Sequence, residues 1–262
     1  MEQHSPSIRA RALSLMRDGV PNRLVAEQLN VPRGTVGWWR SEDRKARGEA
    51  YAPPSASHDC PSCTSNPLDA TAYAYLLGLY LGDGHIIAKP AQYRLSIYCN
   101  AAQTGLVDAA EQAMRAVMQR PTIHRRERLG CAEVQSSSRH WLCLFAQHGP
   151  GKKHERHIIL DEWQQVVVDD HPWEFVRGLV HSDGCRTMNW TTRLIGGERK
   201  RYEYPRYFFT NVSADIRRLF TDTLDRLGVE WTHCTRNGQP YNISVARRAS
   251  VALMDAHVGP KH

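Results

Sequence analysis

Apolar positions along the chain change period several times. In residues 7–48 they recur at helical spacing in three short runs. Ile8, Ala12, Leu13 and Met16 predict a first helix that stops at Asp18-Gly19. Val25, Ala26 and Leu29 predict a second, opened by Pro21-Asn22. After a turn at Asn30-Val31-Pro32, residues Arg33 to Arg40 read as a third helix, with Val36 and one of Trp38 and Trp39 turned inward. Residues 49–67 lose all period and become rich in Pro, Ser and Ala, the composition of a linker. Helical spacing returns with Tyr75, Leu76, Leu79 and Tyr80 and ends at Asp83-Gly84. Alternation then takes over. Ile86 to Ala88 and Tyr93 to Cys99 predict a hairpin across Lys89 to Gln92. Leu106, Ala110, Ala113, Met114 and Val117 line one face of a helix over 101–118. Two strands near 121–128 and 131–137 follow, then a helix through Trp141, Leu144 and Phe145.

The same order of elements then starts again. A helix ends at Asp183-Gly184. Residues 186–195 and 202–210 predict a hairpin, and Ser213 caps a helix that stops at Gly228. Strands near 229–235 and 240–246 precede a helix through Val251 and Met254. The two opening helices share one pattern. Tyr75-Leu-Leu-Gly78-Leu-Tyr-Leu-Gly82-Asp83-Gly84 and Phe175-Val-Arg-Gly178-Leu-Val-His-Ser182-Asp183-Gly184 both read aromatic, any, any, Gly, Leu, any, any, small, Asp, Gly. Asn100 and Asn211 each end a second strand. His148-Gly-Pro-Gly-Lys-Lys-His154 is echoed by His257-Val-Gly-Pro-Lys-His262. A repeat of this size dictates a duplicated architecture.

Gly78 and Gly82 lie on one helix face, as do Gly178 and Ser182. Small residues four apart let two helix backbones approach closely. Gly84 and Gly184 suit a left-handed residue that stops a helix. Asp83 and Asp183 then sit at adjoining C-terminal tips, where the helix dipole is negative and each acid repels the other. A divalent cation between them relieves both effects, and hard oxygen ligands suit magnesium or calcium. Asp-Gly is also a plain turn dipeptide; its duplication in matched context is what favours the metal.

These segments resemble the signature of the LAGLIDADG homing endonucleases in their single-chain, two-motif form, over residues 68–262. The resemblance implies an α+β fold of two pseudo-symmetric αββαββα repeats, here 68–157 and 158–262. The motif helices form their interface and the two sheets form a saddle over DNA. It implies Asp83 and Asp183 as catalytic metal ligands, with Gly82 and Ser182 beside them in the metal set, and Mg2+ as cofactor. Many active members also place a Lys or Gln beside the metals. Here the strand ends offer Asn100, Asn211, Ser137-Ser138-Arg139 and Val245-Ala246-Arg247, with no lysine evident. An arginine there stabilises charge but does not act as a base.

The first 48 residues resemble a helix-turn-helix of the recombinase type. The third helix of such a module enters the major groove, making Arg33, Thr35, Trp39 and Arg40 candidates for DNA contact. A three-helix protein-interaction module is the plain alternative. In the linker, His58-Asp-Cys60-Pro-Ser-Cys63 offers half of a Zn2+ site, with His58 as a third ligand and His85 or Cys99 as a fourth. Otherwise Cys60 and Cys63 are exposed thiols in a turn. On the saddle, Arg94, Arg125, Arg126, Arg128, Arg193, Arg206 and Arg236 are candidate DNA contacts, several of them alternating along strands. Arg199-Lys200-Arg201 read as a basic hairpin tip for phosphate. His181 serves equally as a packed helix residue.

A net charge of +7 over 262 residues favours a polyanionic partner. No apolar run reaches membrane length, the start Met1-Glu-Gln-His-Ser-Pro is polar, and the seven cysteines are odd in number. The expectation is a monomeric, cytoplasmic protein that binds double-stranded DNA and no membrane. Site-specific, metal-dependent double-strand cleavage is the leading function. A DNA-binding transcriptional regulator without cleavage is the rival, and an RNA-splicing maturase a third.

Overall fold

The computed structural model describes residues 4–47, 60–64, 66–89, 92–118, 121–236, 238–259 and 261. The chain forms two compact units, Met1–Ser57 and His58–His262. Most of the 49–67 linker, His58 included, lies outside the described residues.

The first unit holds three helices, α1 (Pro6–Arg17), α2 (Asn22–Leu29) and α3 (Arg33–Ala46). Ser5 Oγ caps α1 by accepting from the Ile8 N–H. Asn30 ends α2 in the left-handed region (φ 49°), a position asparagine tolerates, and Pro32 precedes α3. Ala12, Met16, Val25, Ala26, Val31, Val36 and Trp39 make a core of their own.

The second unit runs α4 (Ala70–Asp83), β1 (Gly84–Lys89), β2 (Gln92–Asn100), α5 (Thr104–Val117), β3 (Ile123–Arg128), β4 (Cys131–Ser137) and α6 (Trp141–Leu144). After a bridging helix α7 (Glu162–Asp170) come α8 (Pro172–Asp183), β5 (Gly184–Ile195), β6 (Glu198–Thr210), α9 (Ala214–Arg226), β7 (Thr232–Arg236), β8 (Gln239–Val245) and α10 (Arg248–His257). Apart from α7, both halves read αββαββα. Their sheets are four-stranded and antiparallel, in the matching orders β1-β2-β4-β3 and β5-β6-β8-β7. One hydrophobic core runs through both halves. It contains the helix faces and alternate strand residues such as Leu95, Ile97, Val134, Tyr207, Phe209, Ile243 and Val245.

Helix α7 is not predicted by apolar spacing. Its signal is local: Asp161 and Gln164 form a capping box at its start. Gly84 and Gly184 also differ from expectation, because both are extended (φ −85° and −107°) rather than left-handed. Close approach is what requires them. A Cβ on Gly84 would lie 2.4 Å from Tyr80 Cα, and one on Gly184 would lie 2.8 Å from Val180 Cα. No helix among the described residues is long and apolar enough to cross a membrane.

Candidate active site at the paired helix tips

The two motif helices meet backbone to backbone. A Cβ on Gly78 would stand 2.6 Å from the Phe175 carbonyl oxygen, and one on Gly178 would stand 2.2 Å from the Tyr75 carbonyl oxygen. No residue but glycine fits either place. At the next turn a Cβ on Gly82 would fall 2.1 Å from Ser182 Oγ and 2.9 Å from Asp183 Oδ2. The small-residue face therefore brings the two acidic tips together. The fold is the two-motif LAGLIDADG fold. The matched topology of the halves and the glycine contact between the motif helices are those that the resemblance implied.

No family model matches this chain, and no curated protein does. Among solved structures it is similar to I-DmoI in complex with DNA and Mn (14% identity, TM-score 0.49, covering 74% of this chain and 98% of that one). It is also similar to I-WcaI bound to its DNA recognition sequence (13%, TM-score 0.48, 74% and 82%) and to the LAGLIDADG meganuclease I-AabMI bound to uncleaved DNA (11%, TM-score 0.45, 71% and 83%). At these values the likeness adds nothing to what the topology already shows.

At the LAGLIDADG tips, burial pushes the Asp183 carboxyl up to about 6, and the neighbouring Asp83 carboxylate adds to the rise. Asn211 Nδ2 donates to Asp183 Oδ2 at 2.6 Å and partly offsets it. Asp83 reaches solvent, yet its crowded surroundings raise it too, against the pull of Lys261 and Lys153.

Those two lysines reach the acids from elsewhere than the strand ends, where the sequence offers none. Lys153 Nζ donates to the carbonyl oxygens of Tyr80 (2.6 Å), Gly82 (2.5 Å) and Gly84 (2.9 Å). Lys261 Nζ donates to the Ser182 carbonyl oxygen at 2.8 Å. Burial pulls Lys153 down to about 8, while Asp183 and Asp83 hold it up; burial lowers Lys261 as well. Neither lysine sits at a strand end. Each arrives on a Gly- and Pro-containing loop beyond the last helix of its half. Arg156 clamps the first loop through the carbonyl oxygens of Gly149, Pro150 and Gly151. Gln147 anchors its base, donating to Ile159 O at 2.8 Å and Gln164 Oε1 at 2.5 Å. The sequence signal was the echo between 148–154 and 257–262, in which Lys153-His154 matches Lys261-His262.

The basic residues divide by strand parity. Arg125 bonds Glu111 and Asp108 of α5 and so faces the helices, not the outer sheet face. Arg94, Arg126 and Arg128 lie on the outer face around Glu133, which is fully buried. Arg128 donates to Glu133 Oε2 (2.9 and 3.2 Å), Ser96 Oγ donates to Oε1 (2.8 Å), and Arg94 stands 4.0 Å away. In the second half, Gly196 and Gly197 (φ 61° and 87°) make the two-residue hairpin turn. Arg199, Lys200 and Arg201 are therefore strand residues rather than a loop tip. Lys200 pairs with Arg193 on the face that also carries Arg206. Arg199 and Arg201 fall on the opposite face, where Arg201 covers Trp190 and pairs with Glu203. The Arg236 side chain lies outside the described residues.

In the first unit Arg33 and Arg40 are exposed and Thr35 is half-buried. Arg40 donates to Asn22 Oδ1 at 3.0 Å. Trp39 is a core residue at 4% exposure, so its ring is not available to a groove; Trp38, at 57%, is the exposed indole. Tyr75 Oη and His181 Nδ1 lie 3.0 Å apart between the motif helices, so His181 is a packed interface residue. Cys99 is buried in the core beside Asp83, and His85 lies near Lys153 and Arg156.

Proposed function

We propose that this chain is a DNA endonuclease that makes a metal-dependent double-strand break, with Asp83 and Asp183 as the shared metal ligands. The observation that carries the reading is the pairing of two repelling carboxylates with two half-buried lysines at one spot. The residues fit a hard divalent cation. The two carboxylates and the Gly82 and Ser182 carbonyls are all oxygen donors, and those carbonyls already hold cationic ammonium groups. Asp83, Asp183 and these carbonyls would hold Mg2+. When bound, the metal polarises water and neutralises charge on the scissile phosphate.

The chain's own groups do the rest. Asn211 orients the Asp183 carboxylate. Lys153, poised near 8, exchanges its proton close to neutral pH, where a general base works best. Lys261 is its counterpart in the second half. Arg193, Lys200 and Arg206, along with Arg126 and Arg94, supply positive charge on outer sheet faces for phosphate contact, while Arg128 neutralises Glu133 beside them. The first unit adds Arg33, Thr35, Arg40 and exposed Trp38 as a second DNA contact. One chain carries both motifs, so a monomer suffices. A protein that only binds DNA has no use for crowded acids beside half-buried lysines, which sets this reading above the regulator.

The test is incubation of the full-length protein with a randomised duplex library, with Mg2+ or with EDTA. Breaks in both strands of a selected sequence in Mg2+, and intact bound duplex in EDTA, are expected. Bound duplex that stays intact under both conditions would refute cleavage.

A further inference from the structure

The first residues of the second unit meet helix α6. Cys60 and Cys63 form a tight turn. The Cys63 and Thr64 N–H groups both donate to the Cys60 carbonyl at 3.1 Å, and Thr64 Oγ1 joins them at 2.9 Å. Burial raises the Cys60 thiol, and the Ser62 and Cys63 backbone amides pull against that rise. Amide donors aimed at a sulfur are the usual support of a metal-bound thiolate. Across from this turn, His140 caps α6 and Cys143 stands one helical turn along it.

Three of these ligand atoms already stand at the spacing of a coordination shell. Cys63 Sγ lies 3.4 Å from His140 Nδ1 and 3.5 Å from Cys143 Sγ, and His140 Nδ1 lies 3.8 Å from Cys143 Sγ. With Cys60 Sγ, all four ligand atoms fall within 4.8 Å of one another. A tetrahedral zinc ion with bonds of about 2.3 Å to sulfur and 2.0–2.1 Å to nitrogen spaces its ligands about 3.5–3.8 Å apart. None of the three cysteines is held in a disulfide: all seven cysteines are free thiols. A disulfide needs sulfurs about 2.05 Å apart, well inside the separation found here.

We infer that Cys60, Cys63, His140 and Cys143 bind one structural zinc ion. Three sulfurs and one imidazole are a soft set that selects zinc over magnesium. Four protein ligands leave no open position, which marks a structural rather than a catalytic ion. The ion has a mechanical task. Helix α6 spans only Trp141–Leu144, and a single turn is too short to be stable alone. Zinc pins it to the turn that opens this unit, across 77 residues from Cys63 to His140. Each cysteine gives up its proton on binding, so no redox partner is needed.

The site differs from the one expected. His58 lies outside the described residues, and neither His85 nor Cys99 belongs to the cluster. His140-Trp-Leu-Cys143 is the missing half, and only folding brings it to Cys60 and Cys63.

The test is metal analysis of the full-length protein isolated without chelator, followed by cobalt substitution. One zinc per chain is expected, along with the thiolate-to-cobalt charge-transfer bands of a tetrahedral site. Cys63→Ser and Cys143→Ser should each lose the metal. His140→Cys should keep it and shift the cobalt spectrum toward that of four thiolates. A thiol-compatible chelator should lower Tm, and added Mg2+ should not restore it, which separates this site from the aspartates. A zinc-free chain without a tetrahedral cobalt spectrum would overturn the inference. So would iron in place of zinc, or a Cys63–Cys143 disulfide in freshly isolated protein.

Discussion

In the first half of the second unit, Lys153 ties together three carbonyl oxygens at the exit of α4. In the second half, Lys261 holds the Ser182 carbonyl at the exit of α8. Asn100 and Asn211 show the same kind of divergence. Each accepts from a backbone N–H two residues on, Ala102 and Ser213 respectively, and so shapes the same turn. Asn211 also donates to Asp183. The hairpins differ most. β1 and β2 have 6 and 9 residues, whereas β5 and β6 have 12 and 13. The longer pair carries exposed Met188, Trp190, Leu194 and Ile195 beside its basic residues. Duplication thus fixes topology and the position of each acid. The groups around each acid, and the reach of each sheet, are free to diverge.

The strongest break in the symmetry would come from the helix contact, where the halves depend on each other. Gly78→Ala and Gly178→Ala should each cost at least the 1–3 kcal/mol typical of overpacking, because the obstruction is backbone rather than a movable side chain. Gly178→Ala should be the worse of the two, given its 2.2 Å approach. Urea denaturation of both variants checks the order.

Activity should fall next. Asp83→Asn and Asp183→Asn should each reduce cleavage by more than the roughly 10–100-fold expected for groups that merely support a metal ligand. DNA binding should survive in both. The stability effect of Asp183→Asn should depend on pH. Because Asp183 is raised to about 6 from an ordinary value near 4, its ionisation opposes folding. That cost is absent below about pH 4, grows between 4 and 6, and is complete above 6. Asp183→Asn should therefore stabilise the metal-free protein above pH 6, by of order 1–3 kcal/mol, and have no such effect at pH 4. A stabilisation that is equal at both pH values would contradict this origin.

The lysines sharpen the comparison further. Cleavage should rise with pH through about 8 as Lys153 loses its proton, and Lys153→Met should abolish that rise. Lys261→Met should lower the rate and leave the inflection in place. Rate profiles from pH 6.5 to 9.5 distinguish the two.

The smallest effects belong to the outer faces. Arg193→Ala and Lys200→Ala should each weaken DNA binding alike for all sequences and reduce the salt slope by about 1. Arg128→Ala should instead act through folding, because it strips the buried Glu133 carboxylate of its closest cation. Salt titrations of binding, beside thermal melts, separate these cases.

Much of this architecture was legible in the sequence because period and glycine placement have direct physical consequences. Alternation located the hairpins, and Gly78 and Gly178 announced a backbone contact. The lysines were not legible in the same way. They lie in Gly- and Pro-containing loops without period, and only the repeated Lys-His pair marked them. Trp38 and Trp39 are adjacent, so composition could not say which one the core would take; helical phase with Val36 settles it, since Trp39 lies three residues on. The sulfur cluster was half legible. Cys60 and Cys63 are near neighbours, but His140 and Cys143 join them only through the tertiary fold.

The central claim is that two helix tips, one from each half, build a single divalent-cation site. Its most direct test is Mn2+ binding, followed by electron paramagnetic resonance, to the protein on a duplex chosen by the library selection. The account predicts that the wild-type complex binds Mn2+ more tightly at pH 7.5 than at pH 5, and that Asp83→Asn and Asp183→Asn each weaken binding by at least about 10-fold. Mn2+ binding left unchanged by either substitution would contradict it.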